Sequence, residues 1–574
     1  MGVFTLLKKH RIGIILFAIT ILAFILRMIY FGDATFGYDQ ARDAFVGTAI
    51  FTRDHIKILG PSSDIKGLFH GSLYWYLTAP FYYFSHGDPL YARMFLVIVN
   101  LANIFFIYFF SKKLFRNTFV ALTSAFLFAV SFEAVQYARW ISNPSMALLT
   151  VAGFYWGLWL TISRKPYGVG LMFLAAAASM QFEIFLVYLS VFSVFGLGYY
   201  LTKAKLKTLI IKANYYLFGG ALLLYAPFGI AELKFKFQAM KGLLSFFTHG
   251  SSEVKDANFL FAKLARFIDS LYGNISANII NFNLWYATGF FAILSLFVLW
   301  TVLSKRKKRG VVIFLFLWMI SPGLFYIFEK NNSYFLNIGN IYPLIMLTSF
   351  ALWSLIKKIP RALQVIIAVA VLGTILLSNG HLIVENNKHG ETLLSVQTNI
   401  TLSGEKEALD WMYTQSNGKP FSVNAVTNPL FINTTWAYLF DWYGKGKYGY
   451  MPSWFGYPQT GNYGDGVVYS PETEKAGRLH FLIIEPITGI PFEHILAYRR
   501  LEDQRSTLLE TRKIEGFVVE KRVMKNTDHF ERDELMKLVP PDLLKLDKNE
   551  LKGLILPTNL KDFYFSGSQS SRGH

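Results

Sequence analysis

About eleven strongly apolar runs, most of them long enough to cross a bilayer and separated by short connectors, restrict what this chain can fold into. A helix of about 20 residues spans the roughly 30 Å of a hydrocarbon core. In lipid, only helices and closed barrels satisfy their own backbone. The first run, from about Ile12 to Phe31, follows the basic stretch Lys8 to Arg11 and has no small-residue cleavage site, so it reads as a retained span rather than a signal peptide. Further spans are expected near 90–111, 117–132, 144–162, 168–180, 184–200, 208–230, 283–303, 311–328, 341–356 and 363–379. Two of these are short enough to be tilted, broken or packed inside protein.

Charge placement supplies an orientation. Only 16% of the 574 residues are charged, against roughly 25% in soluble domains, and the net charge of +19 is concentrated in alternate connectors. Those connectors hold Lys112, Lys113 and Arg116; Arg164 and Lys165; Lys203, Lys205 and Lys207; the run KRKKR at 305–309; and Lys357, Lys358 and Arg361. The positive-inside rule makes them cytoplasmic and puts the N-terminus inside. The first connector on the other side, 32–89, carries Asp33, Asp39, Asp43, Asp54, Asp64 and Asp88. The remaining connectors assigned outside, 131–143, 231–282 and 329–340, are mixed. No zinc-finger spacing or basic helix is present, so the positive charge reads as membrane topology and not as nucleic-acid binding. The chain has no cysteine, which removes disulfides, thiol nucleophiles and thiolate metal sites and leaves the compartment open.

An odd number of spans places everything after about Asn379 outside. Residues 380–574 mix a helix-like stretch, GEKEALDWMYTQ, with strand-like ones, KPFSVNAV, LHFLIIEP and EGFVVEKRVM. The expectation is a polytopic α-helical membrane domain over 1–379 and a C-terminal extracytoplasmic α/β domain over 380–574. The last residues, SGSQSSRGH, read as a disordered end.

The segment FGYDQARDAFVGTAI (36–50), directly after the first span, is where chemistry is expected. In a helix, Asp39 and Asp43 share one face with Arg42 beside them. Two carboxylates and a guanidinium can activate a hydroxyl, hold a metal or clamp a phosphate. The same spacing also fits a solvated juxtamembrane helix.

The order of YDQARDA, then GP followed by FHGSLYWYLTAPFYY and DPLYARM, then EAVQYARWISNPSM (133–146), then NNSYFLNIGNIYPLIML (331–347), resembles the family 39 group of C-type membrane glycosyltransferases (GT-C). That group is similar to protein O-mannosyltransferases and to the aminoarabinose transferases of lipid A. The resemblance implies a GT-C-like fold, a sugar donor on a polyprenyl phosphate, a glycan, lipid or protein acceptor, an inverting transfer at the membrane surface, and a first-loop aspartate as base. Asp39 matches that acid. Many relatives follow it with glutamate where this chain has Gln40, and Asp43 can complete the acidic pair instead. Where many relatives have HPPL, His70 to Leu73 read HGSL.

Arg42, Arg139 and Lys330 are the candidates for holding the donor phosphate. Their alternative roles are a partner for the neighbouring aspartates, an interface anchor and a snorkelling side chain. Glu183 would be costly in lipid and is expected to face a cavity or the outer turn. It and His70 are possible substrate contacts, with structural pairing the competing role for each. No His, Asp and Glu cluster has metal-ligand spacing, so no cofactor is indicated and a divalent ion is left open. The aromatic stretch 436–463 fits sugar stacking, an interfacial belt or plain core. Four Asn-X-Ser/Thr tripeptides begin at Asn274, Asn331, Asn399 and Asn433.

Two competing functions are a transporter or flippase and a non-catalytic GT-C-like assembly factor. The first is disfavoured because the ionisable residues gather in connectors and no internal repeat is evident. The second is kept open by Gln40. The topology has a direct check: a reporter fused after Gly380 is expected to behave as external and one fused within 305–309 as cytoplasmic. A cytoplasmic signal after Gly380 would remove the first connector from the outer face as well.

Overall fold

The computed structural model describes residues 3–51, 56–63, 68–242, 259–281, 284–304, 307–323, 337–395, 398–428, 432–454, 478–486 and 492–525. Lys330, Asn331, residues 455–463 of the aromatic stretch and the C-terminal SGSQSSRGH lie outside them. Among the described residues, six helices are long and apolar enough to cross a membrane: His10–Met28, Pro89–Phe115, Asn143–Ile162, Ile184–Lys203, Lys212–Lys234 and Arg361–Asn387. A bent pair, Thr118–Val130 and Phe132–Arg139, makes a seventh if it is one span. Four shorter apolar helices are Pro166–Phe182, Thr288–Leu303, Arg309–Ile320 and Ile341–Ile356.

The described residues fall into two compact units. The first comprises Met1–Ile29, Ile56–Leu77 and Arg93–Glu385, and the second Tyr30–His55, Thr78–Ala92 and Asn386–His574. The expected 1–379 and 380–574 were drawn along the chain. The units follow packing, and they group two earlier segments with the C-terminal residues.

In unit one, helix Lys212–Lys234 buries only 6% of its apolar window. Leu222 and Leu223 are 72% and 73% exposed, a surface that only lipid makes stable. The inner faces pack through aromatic rings: Tyr155 stacks on Trp318 with ring centres 4.0 Å apart, and Trp318 stacks in turn on Tyr342. Helices Asn143–Ile162 and Pro166–Phe182 approach closely because Gly157 and Gly168 lack a Cβ. One placed there would lie 2.7 Å from the Met172 nitrogen and 2.6 Å from the Thr161 nitrogen. Small residues serve membrane helices in this way. Unit one also holds a short antiparallel pair, β1 (Leu59–Ser62) and β2 (Phe69–Gly71).

The 56° bend after Val130 has a polar cause. Ser131 leaves the helix in extended conformation and caps the next one through Ala134 N. Its hydroxyl donates to Asn278 Oδ1 at 2.5 Å, Asn278 Nδ2 donates to Glu133 Oε2, and Asn379 Oδ1 accepts from Phe132 N at 3.2 Å. Backbone groups freed by the break are thereby satisfied without water.

Unit two is built on a mixed sheet of β3 (Ser422–Val426), β4 (Ser453–Trp454), β5 (Leu479–Ile484), β6 (Ser506–Ile514) and β7 (Phe517–Met524), in the order β4-β3-β5-β7-β6. β3 is parallel to β4 and β5, and β7 is antiparallel to β5 and β6. β3, β5 and β7 fall on the three stretches read as strands, and helix Leu402–Ser416 on the stretch read as helix. Thr401 caps that helix through Gly404 N. Val426, Leu482, Ile484, Ile495 and Tyr498 form a core beside the sheet.

A charged network runs through the middle of this sheet. Ser422 Oγ meets His480 Nδ1 at 2.8 Å, His480 Nε2 meets Glu502 Oε2 at 3.1 Å, Asn424 Nδ2 donates to Glu502 Oε1 at 2.5 Å, and Arg505 Nε donates to Glu502 Oε2 at 2.9 Å. Burial alone would raise the Glu502 carboxyl, but Arg505 and His480 hold it well below the usual range. Its charge therefore contributes stability above the unfolded value of about 4.5, and that contribution is lost as the pH falls below it. Glu502→Gln removes the negative charge that Arg505 and His480 share in the buried network. It is expected to destabilise unit two by about 3–5 kcal/mol at pH 7, read by hydrogen exchange of β3 and β5, with the deficit shrinking below about pH 4. A deficit independent of pH would assign the network to packing alone.

Candidate functional site

Helix Tyr38–Ala49 follows the first span, and its start explains the departure at position 40. Gln40 Oε1 accepts from Gly37 N at 3.0 Å, so the side chain turns back to cap its own helix. Its amide does this without adding a third carboxylate beside Asp39 and Asp43.

The three charged residues are brought together as their spacing predicts. Arg42 Nη1 reaches Asp39 Oδ1 at 2.5 Å. Its Nε and Nη2 reach Asp43 Oδ1 at 2.9 and 2.8 Å. The two acids differ in exposure: the Asp39 side chain is 49% exposed and that of Asp43 is fully buried. The guanidinium also lies 5.7 Å from the centre of the Tyr38 ring. Phe45 packs edge-on against Tyr438, with ring centres 4.9 Å apart, and anchors the helix within unit two. A half-exposed carboxylate at the first turn of a helix, held by one arginine, is able to take a proton from an incoming hydroxyl.

The other candidates lie in unit one. Arg139 is fully buried. Its Nη1 donates to Arg27 O at 3.2 Å and to Ile29 O, and its own carbonyl accepts from Arg93 Nε at 2.9 Å. Arg27 holds Asn100 Oδ1 with Nε and Nη2, and the carbonyls of Ala23 and Ala129 with Nη1. Three arginines with no exposed surface thus gather around the end of the first span, their guanidinium groups bonded to carbonyl and amide oxygens. Sequence reasoning singled out only Arg139. Arg27 had a signal of its own, an arginine set inside an apolar run, where an unpartnered charge is expensive. Glu133 was also passed over, and it is fully buried beside Asn278.

His70 and Glu183 come together as well. His70 Nδ1 accepts from Ile184 N at 3.3 Å and lies 3.7 Å from Glu183 Oε1. That carboxylate oxygen accepts from Phe185 N at 3.2 Å and caps the short turn Ile184–Val187. Both residues hold the β2 strand and the end of helix Pro166–Phe182 in place. In the aromatic stretch, Trp436, Tyr438 and Phe440 are core. Tyr443 and Tyr448 donate to Asp410, with Lys406 and Lys447 over the rings. Among the described residues, no group of three or more His, Asp or Glu side chains is placed to hold a metal ion.

No family model matches the chain, and no curated protein is similar to it by sequence. Among solved structures, it is similar to ArnT from Cupriavidus metallidurans in the apo state at a TM-score of 0.50, over 88% of this chain and 97% of that one, with 12% identity. The chain shares its fold with ArnT. The GT-C-like architecture implied by the sequence is therefore present, although a likeness of fold does not single out family 39. ArnT bound to undecaprenyl phosphate gives a TM-score of 0.48 over 90% of this chain and 99% of that one, with 11% identity. The archaeal oligosaccharyltransferase AglB from Archaeoglobus fulgidus, in complex with an inhibitory peptide and a dolichol-phosphate, gives 0.42 over 84% and 70%, with 13% identity.

Arg42 is the residue on which the geometry of both aspartates depends. Arg42→Leu is expected to destabilise the protein by about 3–5 kcal/mol, because it removes one partner of a buried ion pair with Asp43. Adding Asp43→Asn should recover much of that loss. Thermal unfolding of the single and double variants in detergent micelles measures the coupling, and strictly additive effects would show that the pair is not coupled.

Proposed function

We propose that the chain is a membrane glycosyltransferase that moves a sugar from a polyprenyl-phosphate donor to an acceptor hydroxyl, with inversion, at the outer face of a cell membrane. The observation that carries this reading is the half-exposed Asp39, held by Arg42 on the helix that directly follows the first span. The fold shared with ArnT supports it. In this reading the bent pair is one span and the four shorter apolar helices also cross, which gives the eleven crossings expected from the sequence and an extracytoplasmic C-terminal domain.

Asp39 accepts the proton of the acceptor hydroxyl as the oxygen attacks the anomeric carbon. The bond from that carbon to the phosphate oxygen breaks, and the lipid phosphate leaves with the electron pair. Attack opposite the leaving group inverts the centre. Cations near the phosphate offset the charge that develops there; Arg42, Arg139 and Lys330 are the candidates, and Arg27 and Arg93 add to the positive potential around Arg139. A donor with a hydrocarbon tail and a charged, hydrated head places its reacting carbon at the membrane surface, which is where the first connector begins.

The test is transfer from a defined polyprenyl-phosphate sugar by purified full-length protein, with thermal unfolding measured alongside. Asp39→Asn keeps size and most hydrogen bonding and removes the proton acceptor. A loss of about 100- to 10,000-fold in turnover is expected, with little change in unfolding temperature. Near-normal turnover in Asp39→Asn with collapse in Asp43→Asn would move the base to Asp43. Near-normal turnover in both and in the double variant would remove this helix from the chemistry.

A further inference from the structure

A cavity of about 760 Å³ opens in unit two beside the last residues of β5. Ile484 ends that strand, and Glu485 and Pro486 continue it into the cavity wall. Ligands of open α/β sheets bind beyond the carboxyl ends of parallel strands, and β3 and β5 are parallel here. The volume is that of a small-molecule site, about 300–1,000 Å³.

The walls come from segments far apart in sequence. Lys388 and His389, which directly follow helix Arg361–Asn387 in the chain, form one wall. Asn399 and Thr401 form a second, and Lys513, Glu515 and Gly516 from the turn between β6 and β7 a third. Asn399 and Glu515 both have positive φ, 65° and 47°. Glutamate at such a turn position is strained where glycine would be relaxed, and strain of this kind gathers at ligand sites. Gly516 lets the turn close down: a Cβ there would lie 2.8 Å from Asn399 and from Pro486.

The acids of the wall are largely spent on the protein itself. Glu515 Oε2 accepts from Thr401 Oγ1 at 2.7 Å. Glu485 accepts from Trp436 Nε1 at 2.9 Å and from Asn428 N at 2.7 Å. Burial pushes the Glu485 carboxyl up to about 7, against the lowering effect of those two donors, so much of its charge is absent at neutral pH. The Lys513 ammonium group is exposed and makes no hydrogen bond or ion pair among the described residues. Ile484, Pro486 and Val518 supply an apolar strip. Ammonium groups, an amide, the Glu515 oxygen not taken by Thr401 and an apolar strip together match a sugar ring that carries an anion.

We propose that this pocket binds an anionic saccharide, a sugar bearing a phosphate or a carboxylate, with Lys388 and Lys513 as the anion's partners and Asn399 and Glu515 holding ring hydroxyls. The anion site stands on the pocket's own residues, whereas the choice of a saccharide rests on the transferase reading above. The wall at Asn399 and Thr401 continues into the segment that presents Asp39, since Thr401 is bridged to Thr35 and Phe36 N donates to Ile400 O at 3.1 Å. In the transferase reading, the occupant is taken to be the acceptor glycan's acidic part.

Calorimetric titration of the full chain in detergent micelles with glucose 6-phosphate, glucuronic acid, glucose and inorganic phosphate tests this. At least one acidic sugar is expected to bind about tenfold or more tightly than glucose and than inorganic phosphate. Lys388→Ala and Lys513→Ala should each weaken it by about tenfold, with Lys513→Gln as the variant of matched length. Lys447→Ala, outside the pocket, and Asp39→Asn should bind as the parent does. The preferred acidic sugar identifies the anion. Inorganic phosphate as tight as the sugar phosphate would overturn the saccharide, and affinities unchanged in both lysine variants would overturn the site. Intact binding with no transfer by the parent protein sinks the transferase reading and leaves the anion site standing.

Discussion

Hydrocarbon offers no hydrogen bonds, so a polar group within the apolar helices of this chain is costly unless protein supplies its partner. That requirement explains features of unit one that look unrelated. Arg27 lies inside the first span and survives there because Asn100 and the carbonyls of Ala23 and Ala129 take all three of its nitrogens. The helix break at Ser131 survives because Asn278 and Asn379 take up the groups it frees. Each arrangement joins helices distant in sequence, so partner-seeking by a few polar side chains helps fix which helices are neighbours. Packing of apolar faces, which lipid satisfies equally well, is a weak guide to that choice.

Unit two meets a different constraint, because it is assembled from segments far apart in the chain. The segment after the first apolar helix is stitched to the one after helix Arg361–Asn387: Thr35 N donates to Glu391 Oε2 at 2.8 Å, Glu391 N donates to Thr35 Oγ1 at 2.7 Å, and Leu402 N donates to Ala34 O at 2.8 Å. Helix Tyr38–Ala49 begins a few residues beyond that seam, so the position of Asp39 is set by residues near 390 and 400. The proposed base is in this way carried by the C-terminal part of the chain as well as by the span that precedes it.

Much of this was legible in the sequence, for reasons of range. Helix positions follow from local apolar runs, and β3, β5, β7 and helix Leu402–Ser416 from local pattern. The Asp39, Arg42 and Asp43 cluster follows from helical spacing alone. What escaped was non-local. No local pattern pairs Thr35 with Glu391, which lies 356 positions away, or Arg27 with Asn100 and Ala129. Gln40 looked like a weakened active-site motif because its side chain's cap at Gly37 is a matter of geometry. Glu515 gave no signal either, since its interest lies in a positive φ that no composition announces.

The two aspartates of the first connector are often interchangeable in sequence argument, and their surroundings separate them. Asp43 has no exposed surface and shares one oxygen between two nitrogens of Arg42. For it to deprotonate an acceptor, the helix would have to open or Arg42 would have to leave, and either costs what burying the pair had offset. Asp39 meets the same guanidinium through a different nitrogen and remains half exposed. An acceptor can approach it without disturbing the pair beneath. The arginine orients Asp39 through Nη1 while Nε and Nη2 stay on Asp43, and a carboxylate is by nature a weak base. A base of that kind depends on a strongly polarised acceptor hydroxyl or on a good leaving group. In the proposed reading, a polyprenyl phosphate is a leaving group of that kind.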